Sequence, residues 1–232
     1  MISIPGFVLK NKLYDGRTSL VYRAVREVDN RAVILKILRS EYPSPQEIAR
    51  YRQEYDVLRS LSLQGVIQAY NQIPYEHTYI IVCEDFVGES LSHWMKQRPH
   101  IYGPMRTAKF LKLAIALTET LSQLHQSQVI HKDINPSNIV LNPATGQVKL
   151  IDFGIATQLS HTEPQPAPPS QLEGTLAYLS PEQTGRMNRA LDYRTDFYSL
   201  GVTFYQLLTG YLPFPTEDLL ELVHCHLAKS PL

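Results

Sequence analysis

Thiols are scarce in this sequence: among 232 residues only Cys83 and Cys225 occur. Two cysteines so far apart read as buried or idle thiols rather than as the framework of a secreted domain, and a single disulfide stays open at this stage. An excess of charge of one sign is also missing, because 22 Lys and Arg balance 22 Asp and Glu. That balance argues against a dedicated nucleic-acid or membrane-surface binder, which needs a clustered positive field. No apolar run reaches the roughly 18 residues that span a bilayer, and the start, Met1-Ile2-Ser3-Ile4-Pro5-Gly6-Phe7, lacks the basic and apolar regions of a signal peptide. A cytoplasmic chain without a membrane span is the expectation. What is present is ordinary globular material, 44% hydrophobic and 19% charged, which excludes disorder and collagen-like repeats. At roughly 150 residues per domain the length allows one large domain or two small ones.

Runs rich in β-formers at 7–13, 20–27 and 32–38, the last two separated by Asp29-Asn30, predict a meander of three antiparallel strands. Ser44-Pro45-Gln46-Glu47 combines a Ser cap, a Pro at the first helical position and a Glu three residues after the cap, so a helix should run from Pro45 to about Leu61. Its expected buried stripe is Ile48, Tyr51, Tyr55, Leu58 and Leu61. Glu54 falls on that stripe, where a carboxylate needs either water or a cationic partner. Strands are expected again at 65–73 and 78–83. After Phe86 the pattern turns helical: 107–125 places Phe110, Leu113, Ala114, Leu117, Leu121 and Leu124 on one face, 196–209 is ended by Gly210 and Pro213, and a last helix follows Thr216.

Strands first and helices later predict an α+β chain in two lobes, divided as 1–83 and 84–232, with a hinge near 84–88. Between the long helices, strands at 139–141 and 148–151 flank the turn 142–146 and form a hairpin. Residues 160–171 hold four prolines among polar residues and should be an exposed, weakly ordered loop, with Ser160, Thr162 and Ser170 accessible to modification. No internal repeat is visible.

His131-Lys132-Asp133-Ile134-Asn135-Pro136-Ser137-Asn138, Ile151-Asp152-Phe153-Gly154 and Ser180-Pro181-Glu182 resemble, in this order and spacing, the catalytic loop, metal-binding motif and activation-segment end of protein kinases. Val33-Ile34-Leu35-Lys36, Gly174-Thr175-Leu176-Ala177-Tyr178 and Asp192-Tyr193-Arg194-Thr195-Asp196 extend the resemblance over about residues 7 to 220. It implies a two-lobed kinase-like fold, a small antiparallel sheet with one helix followed by a mainly helical lobe. Moving a phosphoryl group needs charge neutralised and donor and acceptor held in line, which is work for cations, metal-holding oxygens and a carboxylate at the acceptor.

By this resemblance ATP and Mg²⁺ are the cofactors and Ser/Thr hydroxyls of proteins the acceptors. Lys36 would contact the α and β phosphates with Glu54 as its partner, which answers the question the helix stripe raised. Asp152 and Asn138 would hold Mg²⁺, and Asp133 would orient the substrate hydroxyl and accept its proton. Thr175 resembles the threonine that steadies the catalytic aspartate, and Asp196 the aspartate that braces the catalytic loop, a role compatible with capping its helix. His131 would be a packed core residue. Nucleotide contacts would further involve Tyr14, Gly16, Ser19, Val21, Ile34, Cys83, Glu84, Phe86 and Val140.

Several positions depart from the family pattern. Of three loop glycines only Gly16 remains, with Tyr14 and Ser19 at the other two, so phosphate contact by backbone N–H groups should weaken. Ile34 replaces a small residue against the adenine ring and narrows that pocket. Asn135 stands where a lysine usually reaches the transferring phosphate, and its neutral side chain implies slower transfer. Lys132 replaces an arginine, offering a phosphorylated loop a point charge rather than a fork.

The sequence also stops after one helix beyond Thr216, so an incomplete helical base, exposed apolar surface and further domains in a longer chain are expected. The stretch from Ser180 to Arg189 followed by 196–201 looks most like the amino-terminal kinase module of large bacterial hybrid serine/threonine and histidine sensor kinases. Against the enzyme stand a kinase-like binding module of weak or absent activity and a small-molecule phosphotransferase; the 174–182 segment, resembling a platform for protein substrates, disfavours the latter. His224-Cys225-His226 lacks a full ligand set for zinc.

Overall fold

The computed structural model describes residues 2–16, 18–40, 42–97, 105–158, 174–187 and 189–231. Ser160, Thr162 and Ser170, with the proline-rich stretch that carries them, lie outside the described residues. Two compact units are formed, Met1–Ser62 with Val66–Val87, and Leu63–Gly65 with Gly88–Leu232.

The first unit is built on β1 (Phe7–Asp15), β2 (Ser19–Arg26), β3 (Arg31–Leu38), β4 (Ala69–Tyr75) and β5 (Thr78–Glu84), antiparallel in the order β1-β2-β3-β5-β4. The expected three-strand meander is there, and Asn30 takes the left-handed turn conformation (φ 55°) that asparagine tolerates. Both outer strands are irregular: β1 slips register between Leu9 and Asn11 and again between Lys12 and Tyr14, while β4 slips between Ala69 and Asn71 and contains Pro74. One face of the sheet buries Ala24, Val33, Leu35, Ile37, Ile80 and Val82. Alternation therefore sends Ser19, Val21, Arg23, Ile34, Lys36 and Cys83, which are neighbours in the pairing register, to the opposite face.

The strand expected at 65–73 begins only at Ala69. Gly65 belongs to the second unit, where its carbonyl accepts from Leu150 N–H at 2.8 Å, and a Cβ on it would lie 1.9 Å from Thr120 Oγ1. Helix α1 (Pro45–Ser60) starts as its sequence predicts: Glu47 N–H donates to Ser44 Oγ at 3.3 Å while Ser44 N–H donates to Glu47 Oε2 at 2.8 Å. The Ser44 N–H and the Ser44 hydroxyl, both donating to Glu47 Oε2, hold that carboxyl's pKa below its ordinary value. The buried face is rotated from the expected stripe. Tyr51, Glu54, Val57 and Leu58 are buried, and Leu61 just beyond, whereas Ile48 and Tyr55 are only half-buried, because α1 lies against β4 and β5 together.

The second unit contains β6 (Glu89–Ser90), α2 (Leu91–Lys96), α3 (Thr107–Gln126), β7 (Val129–Ile130), β8 (Ile139–Leu141), β9 (Val148–Leu150), β10 (Thr157–Gln158), α4 (Arg194–Thr209) and α5 (Leu219–Ala228). The predicted hairpin is β8 with β9, extended by β6 into three strands, and β10 pairs with β7. Helix α3 buries Leu113, Leu117, Thr120, Leu121 and Leu124 and leaves Phe110 and Ala114 half-buried. Helix α4 starts at Arg194 rather than Asp196 and ends at left-handed Gly210 (φ 84°). Its N-cap is Tyr193, so Asp196 is an interior residue of the first turn and not the cap. Helix α5 is capped by Asp218, which accepts from Glu221 N–H at 2.7 Å.

Leu111 and Ile115 on α3, Phe197 and Leu208 on α4, and Leu219 and Leu220 on α5 are exposed. Cys83 and Cys225 are both buried and free, one in each unit, so the disulfide left open by sequence does not form. Among the described residues no helix is long and apolar enough to cross a membrane.

Candidate active site

In the first unit Lys36 and Glu54 are joined, Nζ to Oε1, at 2.5 Å. Helix pitch puts Glu54 on the face that packs on the sheet and strand alternation puts Lys36 on the face that meets α1, so neither long side chain searches much space to find the other. The pair is largely removed from water, with side-chain exposures of 16% and 4%. Tyr51 anchors the helix beside it by donating its hydroxyl to the Lys36 carbonyl, and burial pushes that hydroxyl's pKa well up. Cys83, opposite Ile34 in the ladder, is likewise pushed up to about 12 by burial.

The glycine-poor turn between β1 and β2 is closed by Gly16 N–H donating to the Ser19 carbonyl at 3.0 Å. Tyr14 folds over it: a Cβ on Gly16 would come 2.2 Å from the Tyr14 ring. The turn is clipped from outside by Arg39, whose Nη1 donates to Asp15 Oδ1 at 2.8 Å and to the Gly16 carbonyl at 2.6 Å. Ser19 and Val21 share the Lys36 face of the sheet. Glu84 points elsewhere, since its register partner is Val33 on the apolar face, and its Oε1 accepts from Gln68 N–H at 2.8 Å. Phe86 follows, half-buried. Asp85 between them receives two bonds from Arg23 of β2, at 2.7 and 3.1 Å, and a third from Val87 N–H at 3.0 Å.

In the second unit the loop 131–138 is organised about Asp133. Its Oδ1 accepts from Thr175 N–H at 2.8 Å and Asn135 Nδ2 at 3.0 Å, and its Oδ2 from Asn138 Nδ2 at 2.8 Å. Amide donors on both oxygens fix the carboxylate's plane. Thr175 therefore reaches Asp133 through its backbone, while its hydroxyl meets Asn135 at 3.1 Å. Asn138 gives its nitrogen to Asp133, which leaves its Oδ1 as the amide atom suited to a hard cation. The Asn138 carbonyl accepts from Ile151 N–H at 2.9 Å, linking this loop to the strand end that carries Asp152.

Asp152 is exposed, in the left-handed region (φ 63°), and accepts from Gly154 N–H at 3.3 Å. Phe153 beside it is buried against the His131 ring, with centroids 4.6 Å apart. His131 is fully buried; Nε2 donates to the Ile151 carbonyl at 3.1 Å and Nδ1 accepts from Asp133 N–H at 3.3 Å. Val140 of β8 is half-buried, and a Cβ on Gly88 would lie 2.6 Å from it.

Below the loop, Asp196 is 0% exposed. Its Oδ1 accepts from Lys132 N–H at 2.8 Å, and its Oδ2 from His131 N–H at 3.0 Å and His125 Nε2 at 2.8 Å. Lys132 sits at φ 68°, a conformation that costs a non-glycine residue roughly 1 kcal/mol, and Asp196 holds it there.

The segment from Gly174 is fastened to α4 and to the loop 131–138. Ser199 donates to the Tyr178 carbonyl at 2.7 Å, Tyr178 OH to Gln206 at 2.5 Å, and Gln183 Nε2 to the Lys132 carbonyl at 2.9 Å. His226 completes the support, with Nε2 donating to the Leu176 carbonyl at 3.1 Å and Nδ1 meeting Tyr198 OH at 2.8 Å; burial lowers its pKa. Those bonds occupy both ring nitrogens of the one buried histidine in the 224–226 cluster.

The Arg23–Asp85 clamp, Arg39, Gln183 and His125 were not marked by sequence. Their partners stand 23 to 71 residues away, and no local pattern announces such pairings.

The first unit thus holds a largely buried lysine–carboxylate pair, the second a carboxylate ringed by amides over a buried aspartate, and comparison with known proteins gives the chain a family. The chain belongs to the protein kinase domain family, whose model matches residues 7–230. It is 32% identical over 218 residues to serine/threonine-protein kinase PrkC of Bacillus subtilis, covering 93% of this chain and 32% of that protein. Serine/threonine-protein kinase PknL of Mycobacterium tuberculosis is 30% identical over 219 residues, 94% of this chain and 53% of that one. PknB of the same species is 30% identical over 208 residues, 88% and 32% respectively. The chain thus spans about a third to a half of the length of these relatives.

Proposed function

We propose that this chain is the catalytic domain of a bacterial serine/threonine protein kinase that moves the γ-phosphate of Mg-ATP to protein hydroxyls in signalling. The observation that carries the reading is the fixing of both Asp133 carboxylate oxygens by amide donors from Thr175, Asn135 and Asn138. A carboxylate so oriented can accept the acceptor hydroxyl's proton as its oxygen bonds the γ-phosphorus and the bond to the β–γ bridging oxygen breaks, releasing ADP. Lys36, held by Glu54, is suited to the α and β phosphates, and Asp152 with Asn138 Oδ1 offers the hard oxygen donors that Mg²⁺ prefers. Bound Mg²⁺ supplies charge neutralisation on the phosphates.

Residues 1–83 serve as the nucleotide-binding lobe in this reading, with Tyr14, Gly16, Ser19, Val21, Ile34 and Cys83, and residues 84–232 as the catalytic lobe, with Glu84, Phe86 and Val140 as its nucleotide contacts. The likeness of 180–201 to hybrid sensor kinases supports a cytoplasmic amino-terminal module followed by further domains. A second reading, a nucleotide-binding module without transfer, draws on the Tyr14 ring lying over the one remaining loop glycine.

Incubation with γ-labelled Mg-ATP and a generic basic protein, with Asp152→Ala alongside and an acid wash, separates the two. Acid-stable label that disappears in the variant supports the kinase. Folded protein that binds Mg-ATP yet labels no more than the variant overturns it and favours the second reading.

A further inference from the structure

Arg23 of β2 lies on the sheet face that carries Lys36, opposite Ile34, which is in turn opposite Cys83. Alternation carries Asp85, two residues beyond Cys83, to that same face. The Arg23 guanidinium reaches past β3 to this carboxylate, 62 residues along the chain: Nε donates to Oδ2 at 2.7 Å and Nη2 to Oδ1 at 3.1 Å. One nitrogen to each oxygen is a fork that a guanidinium makes and an ammonium cannot. The Asp85 side chain is 5% exposed, so its charge is largely withdrawn from water. Val87 N–H donates to Asp85 Oδ1 at 3.0 Å, and Val87 stands at φ 50°, a region that a β-branched residue enters only when it is held there. Glu84 is pinned from the other flank of β5. Its N–H donates to the Gln68 carbonyl at 2.9 Å and its Oε1 accepts from Gln68 N–H at 2.8 Å. The run 84–87, where the chain leaves the sheet, is therefore fastened on both sides.

We propose that Arg23 and Asp85 are positioning residues that hold the backbone of 84–87 in the shape that receives the base of the nucleotide, and so set affinity for the nucleoside part of Mg-ATP. This rests on the nucleotide reading above and holds whether or not the phosphate is then transferred. The two charges answer each other, so neither adds to the attraction for the phosphates, which is left to Lys36. A backbone already in its bound shape binds more tightly because less order remains to be imposed.

Equilibrium titrations of the 232-residue chain with Mg-ATP and with adenosine, which carries base and ribose but no phosphate, separate the two ends of the ligand. Arg23→Met should raise Kd about tenfold for both ligands, by the same factor. Arg23→Lys, which keeps the charge and loses the fork, should fall between Arg23→Met and the parent. Arg23→Met also strands a carboxylate withdrawn from water and should lower Tm; adding Asp85→Asn should restore part of that Tm. The double variant should nevertheless bind both ligands within about twofold of Arg23→Met, since the two substitutions cut one link. It carries no stranded charge, so its titrations stand even if Arg23→Met fails to fold.

A loss for Mg-ATP with adenosine unaffected makes Arg23 a charge that serves the phosphates and overturns the proposal. Affinity that recovers together with Tm in the double variant reduces the pair to a structural role and overturns it too, as do multiplicative losses. Unmodified chain that binds both ligands while Arg23→Met and the double variant match it overturns this inference alone. Unmodified chain that binds neither overturns the nucleotide reading and this inference with it.

Discussion

Replacing Asp196 by asparagine should loosen the loop that carries Asp133 with almost no change in side-chain volume. Asp196 receives three hydrogen bonds and is wholly buried. An amide has one oxygen, so whichever way the substituted side chain turns, its NH₂ faces a backbone N–H of His131 or of Lys132. Hydrogen bonds to a charged acceptor are worth about 1.5–3 kcal/mol, and the surviving bonds lose their charge assistance. A total near 3 kcal/mol follows, which for a domain of this size is a fall in Tm of roughly 6 to 12 °C.

The loss is also local, because Lys132 is kept at φ 68° by the bond from its own N–H. Amide hydrogen exchange across 129–134 should therefore accelerate by more than the global destabilisation requires, and phosphate transfer should fall at least about tenfold. An Asp196→Asn chain that melts within about 2 °C of the parent, with unaltered exchange at His131 and Lys132, would refute the reasoning.

Glu54→Ala removes one partner from a pair largely withdrawn from water and should destabilise the first unit by about 2–3 kcal/mol in a urea titration; adding Lys36→Met should restore part of the stability but none of the binding of a fluorescent ATP analogue. His226 has a folded pKa lowered by burial, so it contributes stability fully above the unfolded value of 6.5 and loses it as the pH falls through the lower folded value. Thermal melts from about pH 7.5 to 5.5 should show a decline that His226→Gln makes shallower, and parallel slopes would exclude the role. With Cys83 pushed up to about 12 and both thiols buried, iodoacetamide at about pH 8 should leave the native mass unchanged and add two groups after denaturation; rapid native labelling of Cys83 would contradict its burial.

What could be read from sequence was what local chemistry encodes. The Ser44 to Glu47 cap is a four-residue device and appears as written, and Glu54 on an apolar stripe called for water or a cationic partner, of which the structure supplies the cation Lys36. The rotation of the α1 face toward Val57 could not be read, because it depends on the two strands the helix crosses. Nor could the placing of β5 between β3 and β4, since strand order is a pairing of distant segments. The late start of β4 has the same origin: Gly65 is held by Leu150 of the second unit, and nothing in the run 65–73 says so. Within the candidate site, residue types marked Asp133, Asn138 and Asp152, but a substitution such as Asn135 shows in sequence only what it lacks. Its hydrogen bonds, one to a segment 40 residues away, become legible only in three dimensions.

The irregular outer strands of the first unit have a consequence for how the molecule meets others. An edge strand with an unbroken row of N–H and C=O groups is a template on which another chain can zip. Here β1 interrupts that row twice and carries Lys10 and Lys12, while β4 shifts once and contains Pro74, which has no N–H to give. Neither margin can extend the sheet into a neighbouring molecule over more than a few residues. Recognition at these margins must therefore be read from side chains, leaving the backbone ladder closed to partners and copies alike.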